Sequence, residues 1–188
     1  MITDKQLIEG CRSGRREMLG LLVDRYKDDL YRFCRHLTLN AQDAEDLFQE
    51  VWVRVIRKLE KYDCERSFKA WLFQVTVNLH RDRYRRWKKF QHRFLGEASF
   101  QADFLNIRDS SPLTEEALLR NERNAELEQG LRALSKRYLA PLVLYYYNEF
   151  SYEEIAEMLG IPVGTVKSRL NQGKKLLQTS MQHVKEGT

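Results

Sequence analysis

Residues 151–170, SYEEIAEMLGIPVGTVKSRL, leave the backbone few choices. Ser151 followed three positions later by Glu154 has the form of a capping box: the hydroxyl accepts an N–H of the first turn and the carboxylate reaches back to the cap. Ile155, Ala156 and Leu159 then fall on one helical face. Gly160 stands where that helix must end, and glycine alone takes the left-handed backbone of such an end at no steric cost. Ile161 and Pro162 lead to a second start, and Gly164 to Leu170 begin a second helix. Ala156, Gly160 and Val166, at offsets of four and six, supply three needs of a helix-turn-helix. These are a small residue where the helices cross, a turn tolerant of positive φ, and a buried aliphatic on the second helix. With Val166 and Leu170 inward, Lys167, Ser168, Asn171 and Gln172 project outward. Asn and Gln pair two-pronged with adenine, and Lys suits guanine or phosphate. Lys174 and Lys175 suit phosphate, which positions without specifying. Arg169 suits either DNA contact or an intrachain ion pair. The competing reading is a plain helical hairpin in an all-α domain.

The rest of the chain also divides by charge. Its formal net charge is +5 and its pI about 9.1. Residues 81–93 carry seven Arg/Lys against one Asp, interleaved with Tyr84, Trp87 and Phe90. Residues 97–128 carry eight acids against three Arg, and residues 164–175 carry four cations and no acid. Two basic zones flanking an acidic one imply two contacts with a polyanion, joined by a segment that avoids it. A merely solvated surface is the alternative for 81–93.

Apolar spacing predicts helices through most of the sequence. Thr3 caps a short helix over 3–10. A long one follows over 15–38 with Met18, Leu21, Leu22, Tyr26, Leu30, Phe33, Cys34 and Leu37 inward. Asn40 breaks it and caps the next, over 41–59, where Ala44, Leu47, Phe48, Val51, Val55, Ile56 and Leu59 make the inner face. Asp43, Asp46 and Glu50 share the other face, with Gln49 beside them. Tyr62 to Ser67 is a polar loop, and Ser67 is placed to cap a helix over 68–90. There Phe68, Trp71, Leu72, Val75 and Leu79 form one side; Asn78, Arg81, Arg85 and Lys88 share another. Residues 93–113 read as a linker rich in turn-forming residues, followed by an acidic helical stretch over 114–129 and further helix from Leu127 to Leu144. The fold class is therefore all-α, with two helical domains joined by a flexible linker. The expected division is 1–92, a linker at 93–123, 124–182, and a tail at 183–188.

Three widely spaced cysteines, Cys11, Cys34 and Cys64, form no zinc pattern and fit a reducing compartment. The polar N-terminus is not that of a signal peptide, and no run approaches the ~18 apolar residues of a membrane span. The expectation is a cytoplasmic protein with no cofactor and no metal.

Two stretches together resemble a known family. AEDLFQEVWVRVIRKLEKYDCERSFKAWLFQVTVNLHRDRYRR resembles region 2 of bacterial sigma factors, notably the small extracytoplasmic-function group of the sigma-70 family. LSKRYLAPLVLYYYNEFSYEEIAEMLGIPVGTVKSRLNQGKKLL is similar to their region 4, in the family's order. The resemblance implies a non-catalytic specificity subunit that binds core RNA polymerase, directs it to promoters and helps melt the −10 region. It implies that Asp46, Gln49 and Glu50 grip the clamp helices of the polymerase's largest subunit. It implies that Asp63 to Ser67 form a loop cupping a flipped base, and that Asn78, Arg81, Arg85 and Lys88 face the opened −10 strand. The physical logic agrees, since aromatics hold unstacked bases and a cationic helix holds the strand's phosphates. By the same resemblance Thr165, Lys167, Ser168, Asn171, Gln172 and Lys174 bind the −35 element, near a contact with the polymerase flap. The resemblance also implies that the linker threads toward the active-site channel and the RNA exit path, its acidity mimicking RNA. It further implies an anti-sigma factor, usually membrane-tethered, that masks the core-binding faces. The chain departs from the family pattern at Asn171, Gln172 and Gly173, where many relatives are arginine-rich, and at Ser135, where proline is usual. Pro141 falls inside an expected helix and either kinks or starts it.

Two other readings compete. An autonomous helix-turn-helix regulator would use the same motif but leaves the basic-aromatic helix and the AEDLFQE face without a task, and would need a dimer to span two half-sites. A nuclease would take Asp43, Asp46 and Glu50 as metal ligands, yet these share one face of one helix with no convergent partner.

Overall fold

A computed structural model of the chain describes residues 2–94, 127 and 129–186. Among these residues all regular structure is helical. Helix α1 (Asp4–Arg12) opens on the Thr3 capping box, in which Thr3 Oγ1 accepts from the Gln6 N–H at 3.3 Å and Gln6 Oε1 accepts from the Thr3 N–H at 2.9 Å. Helix α2 (Arg16–Thr38) ends at Leu39, whose φ of 57° puts a non-glycine residue in the left-handed region. Asn40 starts α3 (Ala41–Leu59) by accepting the Asp43 N–H at 2.9 Å. Ser67 Oγ accepts the Ala70 N–H at 3.3 Å at the head of α4 (Phe68–Phe94). These helices close around Leu7, Leu22, Leu30, Phe33, Leu47, Val51, Leu72 and Phe73, none more than 1% exposed. Each contributes about 1.5–3 kcal/mol by leaving water.

Beyond 126, a helical stretch over 129–133 precedes α5 (Lys136–Tyr146), α6 (Tyr152–Leu159) and α7 (Val163–Glu186). Pro141 lies within α5 and does not start it; its ring there lacks the N–H that would bond back one turn. Gly130 and Gly173 are close-approach positions. A Cβ on Gly173 would stand 2.9 Å from Leu142 Cδ1 and 3.2 Å from Tyr138 Cβ, so a larger residue would have to push these side chains aside where α7 crosses α5.

Some expectations shift. Leu21 and Ile56, placed inward by spacing, are 45% and 47% exposed, so the apolar stripes of α2 and α3 are wider than the faces they bury. Helix α4 continues to Phe94, past the helix end expected at 90 and the domain boundary expected at 92, because nothing in 91–94 breaks a helix. The linker from 95 to 123 and the acidic stretch 114–126 lie outside the described residues.

The largest difference lies between the halves. Spacing in the sequence gives no sign that they touch, yet α6 packs against α4 and α5 against α2. Phe73 and Phe150 meet edge to face with ring centroids 5.3 Å apart. The rings of His36 and Tyr147 lie 3.9 Å apart, and the Lys136 ammonium sits 3.9 Å above the Tyr84 ring.

Candidate nucleic-acid interface

The helix-turn-helix is built as its residue types require. Ser151 Oγ accepts the Glu154 N–H at 3.2 Å, and Glu154 Oε2 accepts the Ser151 N–H at 2.9 Å. Gly160 ends α6 at φ 64°, with its N–H on the last carbonyls of the helix. Val166 and Leu170 are buried at 0% and 5% exposure, and this rotates Lys167, Ser168, Asn171, Gln172 and Lys174 to the outer side of α7. Thr165 is half-buried at the start of that row. The side chains of Asn171, Gln172 and Lys174 engage no partner among the described residues, so their polar groups remain available. Spacing alone missed what stands behind Lys167. Tyr145 and Tyr152 stack at 5.1 Å and 25°, and the Lys167 ammonium lies 5.5 Å from the Tyr152 ring centroid.

The α4 surface differs in kind. Asn78 Oδ1 accepts from Arg81 at 2.8 Å, and Arg85 pairs with Asp82. Arg83 Nε binds Glu50 Oε2 at 2.7 Å, with Arg86 on Oε1 of the same carboxylate at 3.7 Å. Arg83 also donates to the Asp43 carbonyl at 3.4 Å. Lys88 lies on α4, but its side chain is outside the described residues. Tyr84 and Trp87 stack at 6.1 Å and 23° on the exposed side. At the buried side of the same helix His80 has its pKa pushed down to about 4 by burial, and secondarily by the Lys136 and Arg83 charges. Burial likewise holds Lys136 down at about 8.

The loop ahead of α4 is firmly seated. The Arg12 guanidinium donates to the carbonyls of Leu59, at 3.1 Å, and of Tyr62. Tyr62 Oη donates to the Arg66 carbonyl, and Asp63 Oδ1 accepts the Glu65 N–H at 3.0 Å. Asp63 and Ser67 are exposed at its rim. Trp71 packs at 4.6 Å from Tyr62 and 5.7 Å from Phe68, in keeping with the core role its spacing indicated.

On α3, Asp46 is exposed and Gln49 stands at the surface beside Glu50, which is half-buried beneath Arg83. The structure thus brings Glu50 to the α4 arginines and leaves Asp46 facing out. Val53 and Ile56, 48% and 47% exposed, continue the Gln49 row at steps of four and three. This apolar extension was hidden because Ile56 fits the inner stripe equally well by spacing. Among the described residues no group of His, Cys, Asp and Glu is arranged to hold a metal ion, and no helix is long and apolar enough to cross a membrane. Cys34 is buried in the core, which raises its thiol pKa to about 12.

A small helical domain carrying a basic-aromatic helix, followed by a helix-turn-helix, defines a class of promoter-directed protein. Residues 22–90 match the family model of sigma-70 region 2, and residues 124–177 match that of sigma-70 region 4. The chain is 31% identical over 179 residues to the ECF RNA polymerase sigma factor SigW of Bacillus subtilis, covering 94% of this chain and 96% of that one. It belongs to the extracytoplasmic-function sigma factors of the sigma-70 family. Solved structures share the fold. CnrH, in complex with the cytosolic domain of CnrY, superposes with a TM-score of 0.67 at 24% identity, over 96% of this chain and 97% of that one. RpoE of Bartonella quintana, in complex with the anti-sigma factor NepR, gives 0.67 at 22% identity, over 87% and 96%.

Proposed function

We propose that this RNA polymerase sigma factor divides its work among three surfaces. The outer row of α3, with Asp46 and Gln49 and the flanking Glu50, grips the clamp helices of the polymerase's largest subunit. Val53 and Ile56 add the apolar area that a protein–protein contact needs near its centre. The loop Asp63–Ser67 and the α4 face of Asn78, Arg81, Arg85 and Lys88 receive the opened −10 strand. On α7, Thr165, Lys167, Ser168, Asn171, Gln172 and Lys174 dock in the major groove of the −35 element, with the flap nearby. The protein is a non-catalytic subunit that works in the cytoplasm, and residues 1–92, 93–123 and 124–182 are its functional divisions.

One observation carries this reading: two surfaces suited to nucleic acid occur in one chain, and they differ. Exposed Asn, Gln and Lys over a buried Val166–Leu170 stripe suit base edges in duplex DNA. Exposed stacked aromatics among arginines suit unpaired bases. An autonomous regulator needs only the first. We also place an anti-sigma factor among the partners, membrane-anchored or not, because RpoE is seen with the anti-sigma factor NepR and CnrH with the cytosolic domain of CnrY. The α3 row is the surface it would mask.

Run-off transcription tests the reading. Core polymerase plus this protein is expected to yield discrete promoter-specific transcripts from a pool of genomic promoters, and core alone none. Absence of any such transcript overturns it. Tight, specific promoter binding by the protein without polymerase would favour the autonomous regulator.

A further inference from the structure

Helix α1 belongs to none of the three surfaces assigned above, yet its last residue reaches the loop ahead of α4. Arg12 donates from Nε to the Leu59 carbonyl at 3.1 Å and from Nη2 to the Tyr62 carbonyl. Leu59 is the last residue of α3, where helical carbonyls lack partners within the helix and a cation is favoured. One planar guanidinium thus ties the end of α3 to the start of the loop. A lysine ammonium has no such fork.

Tyr62 carries that tie into the loop. Its hydroxyl donates to the Arg66 carbonyl, which joins the residues on either side of 63–65 across the loop's base. Burial pushes its pKa up to about 12, so the hydroxyl remains a donor at neutral pH. The residue is 6% exposed, with its ring centroid 4.6 Å from that of Trp71 and 5.6 Å from that of Phe68. Inside the loop the Arg66 N–H reaches the Asp63 carbonyl at 3.2 Å. The backbone of the loop is therefore specified from its base outward, and Arg12 holds the base.

Two other contacts of α1 show what is particular to Arg12. Lys5 pairs with Glu65 at 2.8 Å, but both side chains are more than half exposed, and such pairs hold geometry weakly. Asp4 pairs with Arg25 and accepts from the Tyr26 hydroxyl, which seats α1 on α2. Arg12 differs from both in bonding the backbone at the loop's entrance.

We infer that Arg12 is a positioning residue for base choice in the −10 element: acting through the Tyr62 carbonyl, it holds the loop 63–67 in the shape that receives the unstacked base. The inference rests on the assignment of that loop to the −10 strand. A seat of preset shape excludes a wrong base by clash. A loop that is ordered only on binding fits several bases at similar cost. Loss of Arg12 therefore acts on selectivity at one position and not on affinity for all sequences.

The test uses the full chain with core polymerase and a promoter active in run-off transcription, its −10 element randomised. Captured open complexes are sequenced, which reads base preference position by position, and thermal melting reads stability. Arg12→Met keeps the stem and removes the donors. It is expected to flatten preference at one −10 position by about fivefold and to leave the others within about twofold. Arg12→Lys, which serves one carbonyl at a time, is expected to fall between Met and wild type. Tyr62→Phe keeps the ring, opens the base of the loop and is expected to flatten the same position. Arg25→Ala, which loosens α1 from α2, is expected to lower the melting temperature and change no preference. An unchanged profile in Arg12→Met, a uniform decrease across all positions, or an Arg25→Ala profile matching that of Arg12→Met overturns the inference. Where Arg12→Met fails to fold, Arg12→Lys decides: flattening at the single position sustains the inference and an unchanged profile overturns it. Failure of the −10 assignment has a different signature, since Asp63→Ala, at the rim of the loop itself, then alters no base preference either.

Discussion

The two helices proposed to face DNA, α4 and α7, are both rich in cations but are in different states of readiness. On α7 the outward Asn171, Gln172 and Lys174 have no side-chain partner among the described residues, and Val166 and Leu170 fix the rotation that presents them. On α4, Arg81, Arg83, Arg85 and Arg86 each have an acceptor within the chain, from Asn78, Glu50 or Asp82. Exposed pairs of this kind are worth little, about 0–1 kcal/mol each, and salt or a phosphate displaces them easily. Under the proposed assignment the duplex reader is pre-set, whereas the arginines of the surface for opened DNA stay engaged within the chain until a strand arrives. Unpaired arginines would bind any nucleic acid by counterion release, so internal pairing restrains non-specific capture.

The largest expected effect tests that division directly. Replacing Arg81, Arg85 and Lys88 by Ala is expected to reduce open-complex formation by orders of magnitude while leaving −35 docking within a few-fold. The salt dependence of strand binding should fall by about 0.7 in log–log slope for each phosphate that the chain no longer neutralises. Permanganate footprinting of melted thymines and a duplex-binding assay read the two steps. Equal decreases at both would break the comparison and leave generic electrostatics.

A smaller effect belongs to α7. Asn171→Ala and Gln172→Ala are each expected to cost about 1–3 kcal/mol against one favoured base pair, and to relax choice at that pair only. Selection from a randomised −35 library measures this. A uniform decrease across all sequences would recast these residues as phosphate contacts.

Acid probes the point where the two helical units share a charge. His80 titrates near 4 because it is buried close to Lys136 of α5 and Arg83 of α4, against 6.5 when free. The unfolded chain thus binds this proton over a window in which the folded chain does not, so stability falls as pH drops from 6.5 to 4 and is unaffected by this group above 6.5. The decrease reaches about 2 kcal/mol by roughly pH 5. Urea unfolding at neutral pH and again in mild acid checks it, and His80→Gln should flatten the difference. A wild-type midpoint that does not move would show that the histidine is not held as buried as its packing indicates.

Much of this was legible in the sequence, and the reasons for what was not are local. Caps announce themselves through short side chains at fixed offsets, so Thr3, Asn40, Ser67 and Ser151 were all readable, as was the Gly160 turn. Helix faces follow from spacing, but spacing cannot say how wide a stripe its neighbours will cover, and so Ile56 was misplaced. Gly173 looked like a departure from an arginine-rich pattern. Its cause is the approach of Leu142 from α5, a neighbour distant in the chain that no local signal encodes. The docking of α6 on α4 was invisible for the same reason. Neither Phe73 nor Phe150 belongs to an apolar face that spacing predicts, and nothing in either stretch says that they share a core.

The finest distinction lies within α7 itself. Asn171 and Gln172 extend from the helix without support, but Lys167 leans over Tyr152, which is in turn stacked on Tyr145. A cation over an exposed aromatic face gains about 0.5–1 kcal/mol, enough to favour one rotamer of a long flexible side chain but not to fix it. Tyr152→Phe keeps the ring and should leave base preference unchanged. Tyr152→Ala should weaken discrimination at the Lys167 base pair by roughly two- to fivefold, because the ammonium must then be ordered on binding. With Lys167→Ala already present, Tyr152→Ala should have no further effect on that pair. The double-mutant cycle isolates the coupling from any change in packing, which would show as a lower melting temperature and a uniform decrease across sequences. Additive effects in the cycle would mean that Lys167 reaches the groove unaided, and α7 would then be a uniform surface of independent readers.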